Sequence, residues 1–517
     1  MSPENQSGNE FAFSMLPPGA DQLGRLLDNL LAARHDPDTY FTLLEEARSP
    51  LRLIEDELSR RYLNRPLPLS ERSERSFQQL IAAWRKMAEA YSQCAELQHD
   101  ASAAHYPVRM AIILHRSLHY IGKIILEHFN ARRELPAGIW MDLHSRFIRA
   151  EQLGVALIPV NDFLESDMHS NHCMATYVKL LLVDVSSPYS QSTRNLILIR
   201  RWAGMWASLV GVQRIDDDIQ IPAYVVDLAK DAGLHPGASA THLEATLRRL
   251  DTSRLGIQMH HAMNQLRQGA QPMEIGLGED SSRHVRHLLD QVSRPWTQAT
   301  APRRFRRFPA SGTARVVFGF DAMHHYLIGD SGAPALPVLP VQHHHGRGQP
   351  QSWDAPIEQW EIINYSATGF RLGRASIGQR LAYNQLIAFC PHDSQHFMLG
   401  QASWLMQEQS GGLIAGISVL PGLPRPVGVH LLEVPPGEDG SLRPAFLLPA
   451  VPAIQAVESI VLPTGIFDSD QVLVMHDGQG GCQVRLDRPL QRGRDFERFS
   501  YFPVTPGPAD SVPENAP

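Results

Sequence analysis

A chain of 517 residues with a formal net charge of −7 is not a globally basic nucleic-acid binder, whose affinity would come from neutralising phosphates. At 43% hydrophobic and 20% charged it is not a disordered polymer, and its length accommodates two to four domains. Only four of its 47 basic residues are lysine, which beside 37 Gly and 38 Pro reads as the codon bias of a GC-rich genome, not as function. The first 20 residues are polar, without a basic stretch leading into an apolar one. They predict a disordered tail and no signal peptide. Cys94, Cys173, Cys390 and Cys482 form no CxxC, so neither a disulfide framework nor a structural zinc site is expected. The most apolar stretch, Met110 to Leu126, is broken by His115, Arg116, His119 and Lys123 and is too short and too charged to span a bilayer. These features predict a cytoplasmic protein with no membrane span.

From about residue 21 to 292 apolar residues recur at helical spacing. Phe77, Leu80, Ile81, Trp84, Ala88, Tyr91 and Cys94 fall at steps of three and four, which predicts an amphipathic helix with Cys94 in its apolar stripe. Leu114, Leu118, Ile121, Ile125 and Phe129 predict the next helix, and Pro136-Ala137-Gly138 a break. Trp140, Leu143, Phe147, Ala150 and Leu153 begin another, with further helices expected around 171–183, 191–209, 238–251 and 255–267. The expectation is an all-helical domain over 21–295, as a bundle or an irregular helical repeat. Trp140 to Gly154 faintly resembles half of a tetratricopeptide unit, but no second copy follows at a fixed period.

After Pro302 the texture becomes β-rich, with runs at Ala314–Phe320, Trp360–Ile363, Leu386–Phe389, Met398–Leu405 and Leu413–Val419 separated by glycines and polar turns. That pattern predicts a small antiparallel barrel over 300–434, interrupted at 329–356 by an exposed Pro/Gly-rich insertion. Strand-like runs at Ser459–Leu462, Gln471–Met475 and Gln483–Leu486 predict a small β-rich extension over 435–505, and 506–517 a disordered tail. The fold class expected is α+β and multidomain.

The chemistry concentrates at the start of the barrel. Arg303, Arg304, Phe305, Arg306 and Arg307 form RRFRR before the first strand, and Asn364-Tyr365-Ser366-Ala367-Thr368-Gly369 follows the strand that begins at Trp360. Guanidinium groups grip phosphate or a guanine O6/N7 edge with two donors and stack on base faces, where lysine offers a point charge. An Asn at a strand end donates and accepts, and a Ser hydroxyl does so at short reach. Alone, RRFRR would read as a solvated linker and NxSxxG as an Asx or Ser turn.

Together, RxxxR followed by NxSxxG is similar to the signature of the PilZ domain family, whose members bind cyclic di-GMP. The resemblance continues through Gly369-Phe370-Arg371-Leu372, the turn at Ile377–Leu381, Leu386–Phe389, Gln401–Trp404 and Leu413–Ile417, and covers about 300–434. It implies that Arg303 and Arg307 are the leading ligand contacts, with Arg304 where many members also have arginine and Arg306 a weaker extra. It implies that Asn364 and Ser366 read guanine or anchor phosphate, and that Gly369 supplies a positive φ or a close backbone approach. Two departures stand out. Asn364 lies 57 positions after Arg307, most of the excess being the insertion, and Val427–Val434 reads as a strand where the family has a terminal helix.

Other features read as structural. His115 and His119 lack the glutamate of HExxH; Asp167, His169, His172 and Cys173, the run His343–His345, and Asp216–Asp218 match no ligand set. There is no P-loop, no GxGxxG after a strand and no GxSxG. The expectation is a non-enzymatic receptor with no cofactor and no metal. Cyclic di-GMP would be its ligand, and a protein partner would be engaged through the helical half. The alternatives are a nucleotide-independent adaptor with a degenerate barrel and single-strand nucleic-acid binding, the latter disfavoured by the charge.

Overall fold

The structure, a computed structural model, describes residues 20–32, 36–98, 105–164, 172–215, 224–237, 245–297, 306–331, 356–375, 378–432, 442–477 and 480–504. It divides into two compact units between Arg303 and Arg304, with residues 66–68 grouped with the second. The two tails and most of the 329–356 insertion lie outside the described residues.

The first unit begins with α1 (Ala20–Ala32), α2 (Pro37–Ser59), α3 (Glu71–Glu96), α4 (Tyr106–Asn130), α5 (Ile139–Gln152), α6 (Cys173–Val185) and α7 (Thr193–Trp206). Its start signals are local: Asp36 Oδ1 accepts from the Thr39 amide at 3.0 Å at the head of α2, and Ser192 Oγ accepts from Asn195 at 3.1 Å at the head of α7. Helix α4 packs against α3, α5 and α6 and is buried along most of its circumference, so the unit is a bundle built around a central helix. Cys94 lies fully buried in the α3 stripe.

A sheet of β1 (Gly211–Arg214), β2 (Tyr224–Asp227), β3 (His235–Pro236) and β4 (Leu247–Asp251) follows, in the order β1-β4-β2-β3, before α8 (Ser253–Arg267) and α9 (Ser282–Thr297). Strand β4 replaces the helix expected over 238–251, of which 238–244 lie outside the described residues. Leu247 and Leu250 sit at a helical spacing, but tertiary pairing overrides it. Residues 247–250 pair with 224–227 of β2, and Arg248 is buried with its guanidinium on the Glu151 carboxylate of α5 at 3.0 Å. The helical unit is therefore not free of strands.

The second unit holds two closed barrels. The first comprises β5 (Phe308–Pro309), β6 (Thr313–Phe318), β7 (Glu358–Ser366), β8 (Gly369–Arg374), β9 (Leu386–Pro391), β10 (Met398–Gln407) and β11 (Leu413–Val419), in the order β5-β7-β6-β9-β10-β11-β8. The β7–β8 pairing closes the ring. The second barrel is β12 (Arg425–Leu431), β13 (Arg443–Leu448), β14 (Ser459–Pro463), β15 (Val472–His476), β16 (Gly481–Arg492) and β17 (Phe496–Pro503), closed in the order β12-β13-β14-β17-β16-β15. Strand β12, grouped by sequence with the first barrel, pairs with β13 and β15 and belongs to the second. What reads as a small β-rich extension is a barrel in its own right, its closure resting on pairings that no local pattern reveals.

Between β6 and β7 the chain forms α10 (Phe320–Ser331), which starts after Gly319 at φ 86° and absorbs the end of the strand read as Ala314–Phe320. Phe320, Met323 and Leu327 of α10 share one apolar cluster with Leu386 and Ala388 of the first barrel and Phe446, Val461 and Phe496 of the second. Buried His324 donates from Nε2 to the Val427 carbonyl at 3.0 Å, and burial lowers its pKa to about 4. The barrels also meet at Asp495, whose Oδ1 accepts from the Leu386 amide at 2.9 Å, capping β9.

Burial raises the Asp495 carboxyl from 3.8 to about 6. The folded state therefore binds more protons than the unfolded one between those values, and this group's contribution to stability falls as pH rises through that window. Asp495→Asn keeps an acceptor for Leu386 without the charge. It should stabilise the second unit by about 3 kcal/mol at pH 7.5 and by well under 1 kcal/mol at pH 4. Denaturant unfolding of both proteins at the two pH values checks this; an equal difference at both would refute it.

Candidate functional site

Arg306 and Arg307 come to the same edge of the first barrel as the asparagine motif because β5 and β6 lie end to end along β7. Phe308 pairs with Tyr365 and Pro309 with Asn364, while Thr313 to Val316 pair with Glu361 to Glu358. Gly312, at φ 120°, makes the step between them, and a Cβ there would meet the His392 ring at 2.3 Å. Continued by one residue, the β5–β7 register sets Arg307 level with Ser366. Arg307 is exposed, and Arg306, also exposed, lies 5.5 Å over the Phe308 ring. Arg303, Arg304 and Phe305 lie outside the described residues.

Strand alternation decides what faces outward. Trp360, Ile362, Leu372, Ala415 and Ile417 are buried on the inner face. A bulge between Ile362 and Asn364 shifts the alternation, so Asn364 and Ser366 fall on the outer face and Tyr365 on the inner one. There Tyr365 continues a row of rings: Phe308 at 5.7 Å, Phe370 at 6.1 Å, and Phe389 at 5.1 Å from Phe370. Tyr365 and Phe308 lie at the open end of this row and are themselves exposed, while Asn364 and Ser366 are half-buried.

Ser366 pairs with Gly369 across the two-residue turn Ala367–Thr368, and its Oγ donates to the Gly369 carbonyl at 3.4 Å. Gly369 also lies against β11, and a Cβ on it would stand 2.4 Å from the Ile417 carbonyl oxygen. Close backbone approach, and not a positive φ, is what requires glycine here. The outer face therefore presents a guanidinium, an amide and a hydroxyl beside a shelf with no side chain at position 369. This suits a ligand that is both anionic and flat.

The same face carries Arg371, paired with Asn364, and Trp404, paired with Gly416. Sequence reasoning met both only as members of strand patterns, because their alignment with Asn364 depends on the register and the bulge.

The opposite end of β7 is closed by a buried ion pair. Arg374 is paired with Glu358, donates to the Gln379 carbonyl at 3.0 Å and lies 4.9 Å over the Trp360 ring. This pins the turn after β8 and holds the β7–β8 ribbon in register at the end far from the motif.

His115 and His172 serve the scaffold. His115 Nε2 lies 3.0 Å from Thr176 Oγ1, and His172 Nδ1 accepts from the Ala175 amide at 3.1 Å to start α6. Among the described residues no three or more His, Cys, Asp or Glu side chains are grouped to hold a metal ion. Asp167, His169, Asp216–Asp218 and His343–His345 lie outside them. No helix among the described residues is long and apolar enough to cross a membrane.

Two family models match the chain. That of the N-terminal domain of the cyclic-di-GMP receptor FimW covers residues 13–217, and that of the FimW C-terminal β-barrel domain covers 427–504, which is the second barrel. The cyclic-di-GMP receptor FimW of Pseudomonas aeruginosa is 21% identical over 527 aligned residues, spanning 90% of this chain and 84% of the relative. The matched stretches flank the first barrel, and the full-length likeness runs across it. Both terminal domains of this chain are thus similar to those of the cyclic-di-GMP receptor FimW, and the likeness extends over nearly its whole length.

Proposed function

We propose that this protein is a receptor for cyclic di-GMP, a binding protein and not an enzyme. The first barrel takes the dinucleotide on its outer face, with Arg303, Arg304 and Arg307 on its phosphates and guanine edges. Asn364 and Ser366 provide base or phosphate contacts, and Gly369 keeps the shelf flat. The observation that carries the reading is the pairing of β5 with the end of β7, which sets Arg307 level with Ser366 although the two motifs are far apart in sequence. The relative named as a cyclic-di-GMP receptor supports the same ligand.

Binding orders the 303–307 segment, where the chain passes from the first unit to the second. The helical unit carries the change to a protein partner in the cytoplasm. Such a shift needs only a few kcal/mol of differential affinity between two states. Isothermal calorimetry of the full chain with cyclic di-GMP tests the reading. Saturable micromolar or tighter binding is expected, weakening as salt rises. An absence of heat at tens of micromolar ligand would leave a nucleotide-independent adaptor as the reading.

A further inference from the structure

The two barrels meet along a seam that holds a buried charge with no opposite. Five arginines are buried among the described residues: Arg48, Arg116, Arg248, Arg374 and Arg498. Four of them face carboxylates, Arg48 and Arg116 on Asp162, Arg248 on Glu151 and Arg374 on Glu358. The fifth, Arg498 of β17, is 8% exposed, and no carboxylate of a described residue pairs with it. Its hydrogen bond runs from Nε to Ser459 Oγ at 2.8 Å. Burial pushes its pKa below the ordinary arginine value, with no neighbouring charge to offset the effect. A guanidinium held out of water is costly unless an anion faces it.

The strand register shows where that anion would sit. Arg498 pairs with Val461 of β14 and with Gln491 of β16. Val461, and Phe496 two residues before Arg498, belong to the apolar cluster that the barrels share, so Arg498 is turned toward the first barrel. From that barrel comes buried Gln401 of β10, which pairs with Leu386 of the same cluster and accepts at Oε1 from Gln491 Nε2 at 2.7 Å. With Nε taken, the Nη1 and Nη2 edge of Arg498 is left without an acceptor among the described residues, as is Gln401 Nε2. The Ser459 hydroxyl accepts from Arg498 and keeps its own proton to donate. The seam therefore offers a cation among unused donors.

We propose that Arg498, with Ser459 and Gln401 beside it, forms a binding site between the barrels for a phosphate-type oxyanion. A guanidinium edge grips two phosphate oxygens in one plane, and the neutral donors take the others. Gln401 lies two strands across the sheet from Gly369, through Ser418, and Arg498 lies beyond it on the other barrel. The site is thus separate from the arginine and asparagine motifs. An occupant would tie β17 of the second barrel to β10 of the first.

¹H–¹⁵N spectra of the full chain test this through the Arg498 Nε–H, which its bond to Ser459 protects from exchange. The signal that Arg498→Met removes identifies it. Inorganic phosphate, titrated against chloride at constant ionic strength and neutral pH, should move that signal along a saturable curve with a millimolar or tighter midpoint. Calorimetry should show binding weakened at least about 10-fold in Arg498→Met, with Arg498→Lys recovering only part of the loss. The methionine variant removes the uncompensated charge along with the site, so it should fold without phosphate. A nucleoside monophosphate in a second titration distinguishes the sources: movement by both assigns the site to ester phosphates as well, and movement by inorganic phosphate alone to the free ion. An Arg498 signal unmoved at about 20 mM phosphate, or a methionine variant that binds within twofold of the parent, would overturn the site. Neither titration contains cyclic di-GMP, so failure here leaves the receptor reading standing.

Discussion

Replacing Arg303 and Arg307 together by alanine should weaken cyclic di-GMP binding by about 10²- to 10⁴-fold while leaving thermal unfolding unchanged. A hydrogen bond to a charged group contributes about 1.5–3 kcal/mol, so each guanidinium lost from a phosphate or guanine edge is worth about 10- to 150-fold. Arg307 is exposed and precedes β5, so its removal takes nothing from the core that could unfold the barrel. Unfolding midpoints of variant and parent therefore separate lost contacts from lost structure. Arg303→Lys with Arg307→Lys adds a second discrimination. It keeps the charge and gives up the planar fork, and should recover the salt dependence but only part of the affinity. Binding by the double alanine variant within threefold of the parent would remove both residues from the site.

That expectation was legible in the sequence because RxxxR and NxSxxG are short patterns whose residue types announce their chemistry. The structure adds a register, Phe308 opposite Tyr365 and Pro309 opposite Asn364, that brings the end of the arginine segment beside the asparagine motif. The helices were legible where one apolar stripe ran long enough, as from Phe77 to Cys94 in α3, all but one of whose apolar positions the bundle buries to nearly nothing. Shorter segments were decided by partners and not by period. Leu247 and Leu250 sit at a helical spacing, and pairing with β2 overrode it. Strand β12 followed the first barrel in sequence but closed the second, because barrel closure is a property of long-range register. The least legible features are those whose members are scattered along the chain, and the largest of these lies in the helical unit.

Asp162→Ala should destabilise that unit by about 3–5 kcal/mol, enough to unfold much of it at room temperature. The Asp162 side chain is fully buried in the segment between α5 and α6, and its carboxylate accepts from Arg48 of α2 at 2.7 and 2.8 Å and from Arg116 of α4 at 2.6 Å. Both guanidinium groups are themselves buried, and Glu45 shares them, 3.3 Å from Arg48 and 3.2 Å from Arg116. Burial raises the Asp162 pKa, but the Arg116 charge and the Arg48 hydrogen bond and charge outweigh it, leaving the carboxyl below its ordinary value. A depressed carboxyl contributes stability above its unfolded pKa and loses it as pH falls through the folded one, so the network should also sensitise the bundle to acid. Removing the carboxylate leaves two enclosed cations facing one partly exposed Glu45, and the cost is that of uncompensated charge more than of one missing contact. The triple change Arg48→Met, Arg116→Met and Asp162→Leu removes charge and partner together, and should recover most of the loss. Helical circular dichroism during denaturant unfolding follows this unit, since the barrels of the second contribute little helix. A shift under about 1 kcal/mol for Asp162→Ala, or a triple variant no more stable than the single one, would show that the network does not hold α2 and α4 to the connecting segment.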